Sequence, residues 1–243
     1  MNIENLKNTF KNHVEKYDMN DAAIAKKFYH SYRVMNLCKE ISKDINLKED
    51  DTNIAILIGL LHDYSRFKQW TEYKTFSDID SIDHGDLAVE ELFDNNEIKK
   101  YYENDKYYDE IYMSIKYHNK LNFPKNISER NKLFCKIIRD ADKLDILYLI
   151  SINFNLNKQN NELISSKIEK EFFENKLLKI EDVKNKSDRL LFDLALIYDL
   201  NFNYSFKHIK ENKIIEQIYN KVEDKIKFKK YFEYIQQYIE ERI

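Results

Sequence analysis

A histidine and an aspartate stand side by side at the end of an apolar run in this chain. Residues 54–61 are apolar, with Gly59 as the one exception, and His62 and Asp63 follow directly. A helix that is apolar on every side is a buried one, so the pair is expected in the interior. A buried carboxylate is costly unless it is paired or binds a metal, and both residue types are metal ligands.

Three further histidines lie at inward or core-flanking positions of predicted helices. His30 shares the apolar face of a helix that Asp21 could cap, and His118 ends the apolar stripe of a later helix. His84 lies in the first turn of a short helix between them. Each histidine taken alone could be a hydrogen-bonded core residue, but together with inward carboxylates they indicate a metal site.

Two nearby acids, Asp140 and Asp142, are turned away from each other by the helix that carries them. A separation of two residues rotates them roughly 160° apart. The cations Lys136, Arg139 and Lys143 define the expected exposed face, with Asp140 at its border. Asp142 falls among apolar positions, so we predict that Asp142 is buried and that Asp140 is solvated.

These residues resemble the H…HD…D signature of the HD-domain superfamily of metal-dependent phosphohydrolases. The resemblance lies in His30 within His-Ser-Tyr-Arg-Val, in the His62-Asp63 pair after Gly-Leu-Leu, and in Asp142 within Ala-Asp-Lys-Leu. It covers about residues 20–150. His84 and His118 are similar to the two additional histidines of members that bind two metals. The resemblance implies an all-α fold, an HD-domain helical bundle with this site at its centre.

The resemblance also implies the roles of the residues. A first divalent metal ion is expected on His30, His62, Asp63 and Asp142, and a second on His84 and His118, with Asp63 bridging the two ions. A hydroxide between the metals would attack the phosphorus of a small phosphorylated substrate, a phosphoester or phosphoanhydride of a nucleotide or related molecule. The identity of the metal is left open.

Two cations are candidates for binding the substrate phosphate. Arg66 is expected on the same helix face as His62 and Asp63, from which its guanidinium could pair a phosphate through two hydrogen bonds. A salt bridge between Arg66 and a nearby acid is an equal alternative. Lys143 could serve similarly from its own helix.

Two other functions fit the same residues. Some HD-domain members with this six-ligand pattern are mixed-valent di-iron oxygenases that cleave C–C or C–P bonds with oxygen, and the ligands alone do not separate the two chemistries. A non-catalytic regulatory or ligand-binding HD module is the third possibility. The loss of a ligand would favour that module, and all six ligands are present.

The composition favours helices. The 243 residues include only 2 Gly and 1 Pro, which the tight turns of sheets require. Apolar periodicity predicts helices near residues 3–17, 22–44, 50–61, 83–95, 105–119, 128–150, 167–178, 187–200, 205–220 and 223–241, with a loop at 71–82. Asp50 or Asp51 could cap the helix that ends near the His62-Asp63 pair, and Ser128 could cap the helix that carries Asp142. We expect residues 1–150 to form the HD domain and residues 151–243 to form a helical extension packed on it.

The charge and the cysteines restrict partners and location. The net charge of −3 provides no field that would steer the chain to a nucleic acid polymer. No run of about 18 apolar residues predicts a membrane span. Cys38 and Cys135 fall in predicted helices without a CxxC motif, and the N-terminus lacks a signal-type apolar core, so a cytoplasmic protein is expected. His13 and His208 are interpreted as structural or surface residues, and the oligomeric state is left open.

Overall fold

The computed structural model of the chain describes residues 1–153 and 162–243. These residues contain helices and no strand, which confirms the predicted all-α fold. None of their helices is both long enough and apolar enough to cross a membrane. In chain order the α-helices are α1 (Ile3–Val14), α2 (Ala22–Asp44), α3 (Glu49–Leu61), α4 (Arg66–Tyr73), α5 (His84–Val89), α6 (Tyr108–Tyr117), α7 (Glu129–Asn153), α8 (Ser166–Phe173), α9 (Lys186–Leu194), α10 (Asn203–Glu211), α11 (Ile214–Asn220) and α12 (Lys225–Glu240).

Two helices begin at the caps that the sequence predicted. Asp21 accepts a hydrogen bond from the Ala23 amide (2.8 Å) before α2, and Ser128 Oγ accepts one from the Asn131 amide (3.1 Å) before α7. Such caps satisfy amides in the first turn that have no partner within the helix. The two helices carry His30 and Asp142, respectively.

The start of α3 differs from the prediction. It begins at Glu49 after Lys48 and has no side-chain cap, so the predicted cap at Asp50 or Asp51 is wrong. Both acids lie in the first turn instead, where their negative charge complements the helix dipole. The apolar run that follows is buried throughout, as its composition predicted.

The end of α3 beside the His62-Asp63 pair agrees with the prediction, but the placement of Arg66 after it does not. The helix ends at Leu61, and a tight turn follows, in which the Tyr64 amide donates to Leu61 O and the Arg66 amide donates to Asp63 O, both at 3.0 Å. Arg66 therefore begins α4 and does not continue the helix of the His-Asp pair. The loop predicted at 71–82 starts only after Tyr73.

The chain divides into two compact units, Met1–Ala141 and Asp142–Ile243. Within the first unit, α2 packs along α3, and α6 packs against both α3 and α5. Within the second, α8 packs against α9, and α10, α11 and α12 pack against one another. The sequence-based boundary at residue 150 falls within α7, and the assignment of residues 151–243 as an extension of the HD domain stays a prediction.

Both glycines of the chain stand at close contacts between helices. A Cβ atom on Gly59 in α3 would lie 2.9 Å from Met35 Cα and 2.8 Å from Cys38 Sγ in α2. A Cβ atom on Gly85 in α5 would lie 3.0 Å from the carbonyl oxygen of Lys116 in α6. The absence of a side chain therefore lets each helix pair approach closely.

Candidate metal centre

The first ligand group lies where α2 meets the end of α3. His30 in α2 and His62, directly after α3, place their Nε2 atoms 3.2 Å apart. Asp63 Oδ2 lies 3.4 Å from His30 Nε2 and 3.6 Å from His62 Nε2, and all three side chains are buried. Ligand atoms that each lie about 2.0–2.2 Å from one ion are roughly 3–4 Å apart. These three residues could therefore hold one metal ion.

The second ligand group lies where α5 meets the end of α6. His84, the first residue of α5, and His118, directly after α6, place their Nε2 atoms 2.9 Å apart. Asp63 Oδ1 lies 3.5 Å from His84 Nε2 and 3.9 Å from His118 Nε2. Asp63 thus presents one carboxylate oxygen to each histidine pair, which is the arrangement that a bridging ligand requires.

The outer nitrogens of three histidines show that the residues fit a metal ion. His62 and His118 each place Nδ1 against the carbonyl oxygen three residues earlier, at 2.9 and 2.7 Å, and His84 places Nδ1 2.6 Å from Asp78 Oδ2. These oxygens accept hydrogen bonds, so Nδ1 carries the proton and Nε2 keeps its lone pair. Two lone pairs 2.9 Å apart repel unless a cation stands between them, and imidazole with carboxylate suits divalent transition metals.

Two cations contact Asp63 from outside the histidine pairs. Lys27 Nζ lies 2.7 Å from Oδ2, and Arg66 Nε lies 3.3 Å from Oδ1. Burial opposes ionisation of Asp63, but the nearby positive charges, among them Lys27 and Arg66, outweigh it and hold the pKa of the carboxyl well below its usual range. Burial and Arg66 also lower the pKa of His84, which favours the neutral imidazole that binds metal.

Asp78 connects the segment after α4 to the second ligand group. Its Oδ2 accepts hydrogen bonds from His84 Nδ1 and from Asn119 Nδ2 (3.1 Å), and its Oδ1 accepts from Arg66 Nη1 and Gln69 Nε2, both at 3.0 Å. Burial raises the pKa of Asp78, but the contacts with His84, Arg66 and Gln69 lower it by more, so the pKa lies below its usual value. Sequence reasoning missed Asp78, and the only signal was its position in the polar segment after the His-Asp pair.

Lys27 was also missed by sequence reasoning. It precedes His30 by three residues on α2, so the two side chains project from the same side of the helix. A lysine at the edge of an apolar helix face is usually exposed to solvent. Here the lysine reaches the buried carboxylate instead, and its side chain is 19% exposed.

Residues 28–147 match the family model of the HD domain. The chain belongs to the HD-domain superfamily. The matched segment includes all six residues expected to bind metal, from His30 to Asp142, and confirms the resemblance seen in the sequence. Comparison with curated proteins and with solved structures finds no significant match.

Arg66 of this HD domain makes the salt bridges that were the alternative to phosphate binding. Besides Asp63, it contacts Asp78 Oδ1, Gln69 Oε1 (2.6 Å) and the carbonyl oxygen of Phe76 (2.7 Å), all through Nη1. Its Nη2 makes no hydrogen bond within the described parts of the chain, and its side chain is 12% exposed. Phosphate binding through Nη2 stays a prediction.

The exposed face predicted for α7 is wrong. Asp140 is completely buried, and Arg139 and Lys143 are buried as well. Asp142, which was predicted to be the buried acid, is half-buried. The order of burial of the two acids is therefore the reverse of the prediction. The assignment of Asp142 as a metal ligand rests on the family resemblance alone.

The two buried cations of α7 are satisfied by oxygen acceptors. The Arg139 guanidinium donates to the carbonyl oxygen of Tyr117 (3.4 Å), the last residue of α6, and to that of Lys120 beyond the helix. The last carbonyls of a helix lack partners within it. Lys143 Nζ lies 2.7 Å from Asp199 Oδ2. Periodicity assigned both cations to solvent because it does not detect acceptors contributed by distant segments.

The two remaining histidines are not members of either ligand group. The buried ring of His13 stacks on Tyr64 at 3.8 Å, and its Nε2 lies 3.3 Å from the Tyr64 carbonyl oxygen. Burial lowers the pKa of His13 to about 4. His208 is half-buried on α10. A structural interpretation suits His13.

Proposed function

We propose that the protein is a metal-dependent phosphohydrolase that hydrolyses a phosphoester or phosphoanhydride of a nucleotide or related small molecule. The observation that carries this proposal is the position of Asp63, which offers one carboxylate oxygen to each of two buried histidine pairs. Membership of the HD-domain superfamily supports the same reaction class. The arrangement suits two divalent ions that share one carboxylate.

The proposed ligands follow from the two groups. The first ion takes His30, His62, Asp63 and, by family resemblance, Asp142; the second takes His84, His118 and Asp63. When bound, two divalent ions make a water nucleophilic near neutral pH and neutralise charge on phosphoryl oxygens. The protein holds the rings of His62, His84 and His118 in place through their Nδ1 hydrogen bonds and keeps Asp63 ionised.

An anionic substrate suits the positive charge beside the histidine pairs. Arg66 is the first candidate for binding a phosphoryl oxygen, because its Nη2 has no acceptor within the described residues and its other nitrogens are fixed by four contacts. A guanidinium fixed in this way loses little conformational freedom on binding a phosphate. Lys143 is a weaker candidate, since it would first have to leave Asp199.

The test is a metal analysis of protein purified without oxygen, followed by a panel of nucleotides and phosphoesters assayed for released phosphate. We expect about two metal ions per chain and phosphate release from at least one substrate. Metal-loaded protein that releases no phosphate from the panel would contradict the proposal. Iron together with oxygen uptake would indicate the di-iron oxygenase.

Alanine variants test the second ion. His84→Ala and His118→Ala should each retain about one metal ion per chain and lose most activity, because each removes one of the two imidazoles of the second group. His208→Ala, which changes a histidine outside both groups, serves as the control and should retain both metals. Two ions in each of the first two variants would refute the assignment.

A further inference from the structure

Lys27 and the first histidine pair share one oxygen of Asp63. The Lys27 ammonium lies 2.7 Å from Oδ2, and the same oxygen lies 3.4 Å from His30 Nε2 and 3.6 Å from His62 Nε2. A metal ion held by the two imidazoles would bind this oxygen as its third ligand. The metal and the ammonium are therefore two cations that compete for one carboxylate oxygen.

The second cation on Asp63 is held differently. Arg66 contacts the other oxygen, Oδ1, and is fixed by three further acceptors. Within residues 1–153 and 162–243, the Lys27 ammonium has one polar contact, to Asp63, and its four-carbon stem is flexible. Displacement of Lys27 thus breaks a single ion pair, whereas displacement of Arg66 would break a network.

The aromatic ring of Phe76 provides a second interaction for the Lys27 ammonium. The Lys27 ammonium lies 5.5 Å from the centroid of the Phe76 ring, within the range of cation–π attraction. Phe76 stacks on Trp70 at 4.9 Å, and the Trp70 indole donates a hydrogen bond to Asp21 (2.7 Å), which fixes the ring. An ammonium that leaves Asp63 can therefore stay beside the site.

We propose that Lys27 competes with the first metal ion for Asp63, is displaced from it when the metal binds, and then binds the anionic group of the substrate. The competition requires only that a metal binds the first histidine pair. The substrate contact rests on the proposed function, because it assumes a phosphate beside the metals. Lys27 is thus a substrate-binding residue whose ammonium becomes available to the substrate only after a metal ion has displaced it from Asp63.

In the first arm of the test, protein is freed of metal with a chelator and titrated with Mn²⁺, and calorimetry measures the binding. Lys27→Met should bind the first ion about 5- to 150-fold more tightly, the usual range of coupling between linked equilibria. The thermal midpoint of the chelator-treated variant should fall, because Asp63 loses its closest cation. Lys26→Met, which removes an exposed neighbouring lysine, should change neither quantity.

The second arm measures binding of inorganic phosphate to Mn²⁺-loaded protein. Lys27→Met should weaken it, and Lys27→Arg should restore it. Unchanged or weaker Mn²⁺ binding in Lys27→Met overturns the competition, and unchanged phosphate binding overturns the substrate contact. Lys27→Gln replaces Lys27→Met if circular dichroism shows that the latter is unfolded. Failure of the proposed hydrolysis is recognised separately, by intact metal binding without phosphate release from any substrate.

Discussion

The outer nitrogens of the ligand histidines are held by two kinds of acceptor. His62 and His118 are held by main-chain carbonyl oxygens. A side-chain substitution does not remove such an acceptor. His84 is held by the carboxylate of Asp78. A carboxylate fixes the ring and increases the basicity of the ligand nitrogen. Asp78 is therefore a residue outside the ligands whose substitution can weaken the second ligand group.

Asp78→Asn tests this dependence. The amide can still accept hydrogen bonds, but it lacks the negative charge, so the affinity of the second metal ion should fall about 10- to 100-fold while the first ion is little affected. Metal titration followed by calorimetry measures both affinities. Asp80→Asn is the matched control because Asp80 is exposed in the same segment. Equal weakening of both ions would contradict the assignment.

Single residues also show where sequence reasoning stops. The four histidines and Asp63 could be identified because a ligand type on an apolar face is unusual, and the structure brings all five together. Lys27, Asp78 and the burial of Asp140 could not be identified. Their environment is set by partners on other segments, and periodicity within one helix carries no information about those partners.

At the scale of elements, each histidine pair is accompanied by one glycine contact. Gly59 lies one turn before His62 and lets α3 approach the main chain of α2, which carries His30. Gly85 follows His84 and lets α5 approach the end of α6, which precedes His118. The distances within each pair therefore depend on a helix–helix approach that a methyl group would prevent.

Gly59→Ala and Gly85→Ala test this relation, and each is the control for the other. An added Cβ should destabilise the protein by about 1–3 kcal/mol through overpacking, less the gain of alanine in a helix. Gly85→Ala should weaken the second metal ion, and Gly59→Ala the first. Metal stoichiometry and urea unfolding measure these effects. Loss of the same ion in both variants would refute the separate roles.

Helices were predicted well where apolar periodicity is long, and less well at their ends. The prediction for α2 ended at Asp44, as the helix does, because Asp21 and a long apolar face agree. The turn after α3 was missed because the main-chain hydrogen bonds of residues 61–66 decide it. That turn moves Arg66 onto α4 and into contact with Asp63 and Asp78.

At the scale of the whole molecule, two buried groups respond to pH in opposite directions, one in each unit. Burial lowers the pKa of His13 from 6.5 to about 4. Burial raises the pKa of Asp193 in α9 from 3.8 to about 6, although Arg189 lies 2.9 Å away and opposes the shift. The first shift lowers stability as the pH falls from 6.5 to 4, whereas the second lowers stability as the pH rises from 3.8 to 6.

Variants of the two groups should therefore show opposite pH dependence. Relative to wild type, His13→Phe should gain stability as the pH falls below 6.5, up to about 3 kcal/mol near pH 4, because the protonated unfolded state no longer gains from this histidine. Asp193→Asn should be more stable by a similar amount above pH 6, and this advantage should vanish towards pH 4. Urea unfolding at several pH values measures both. Fluorescence of Trp70, the single tryptophan of the chain, reports the unit that contains His13, and circular dichroism reports all helices. Differences from wild type that change with pH in the same direction would contradict the assignment of these two shifts.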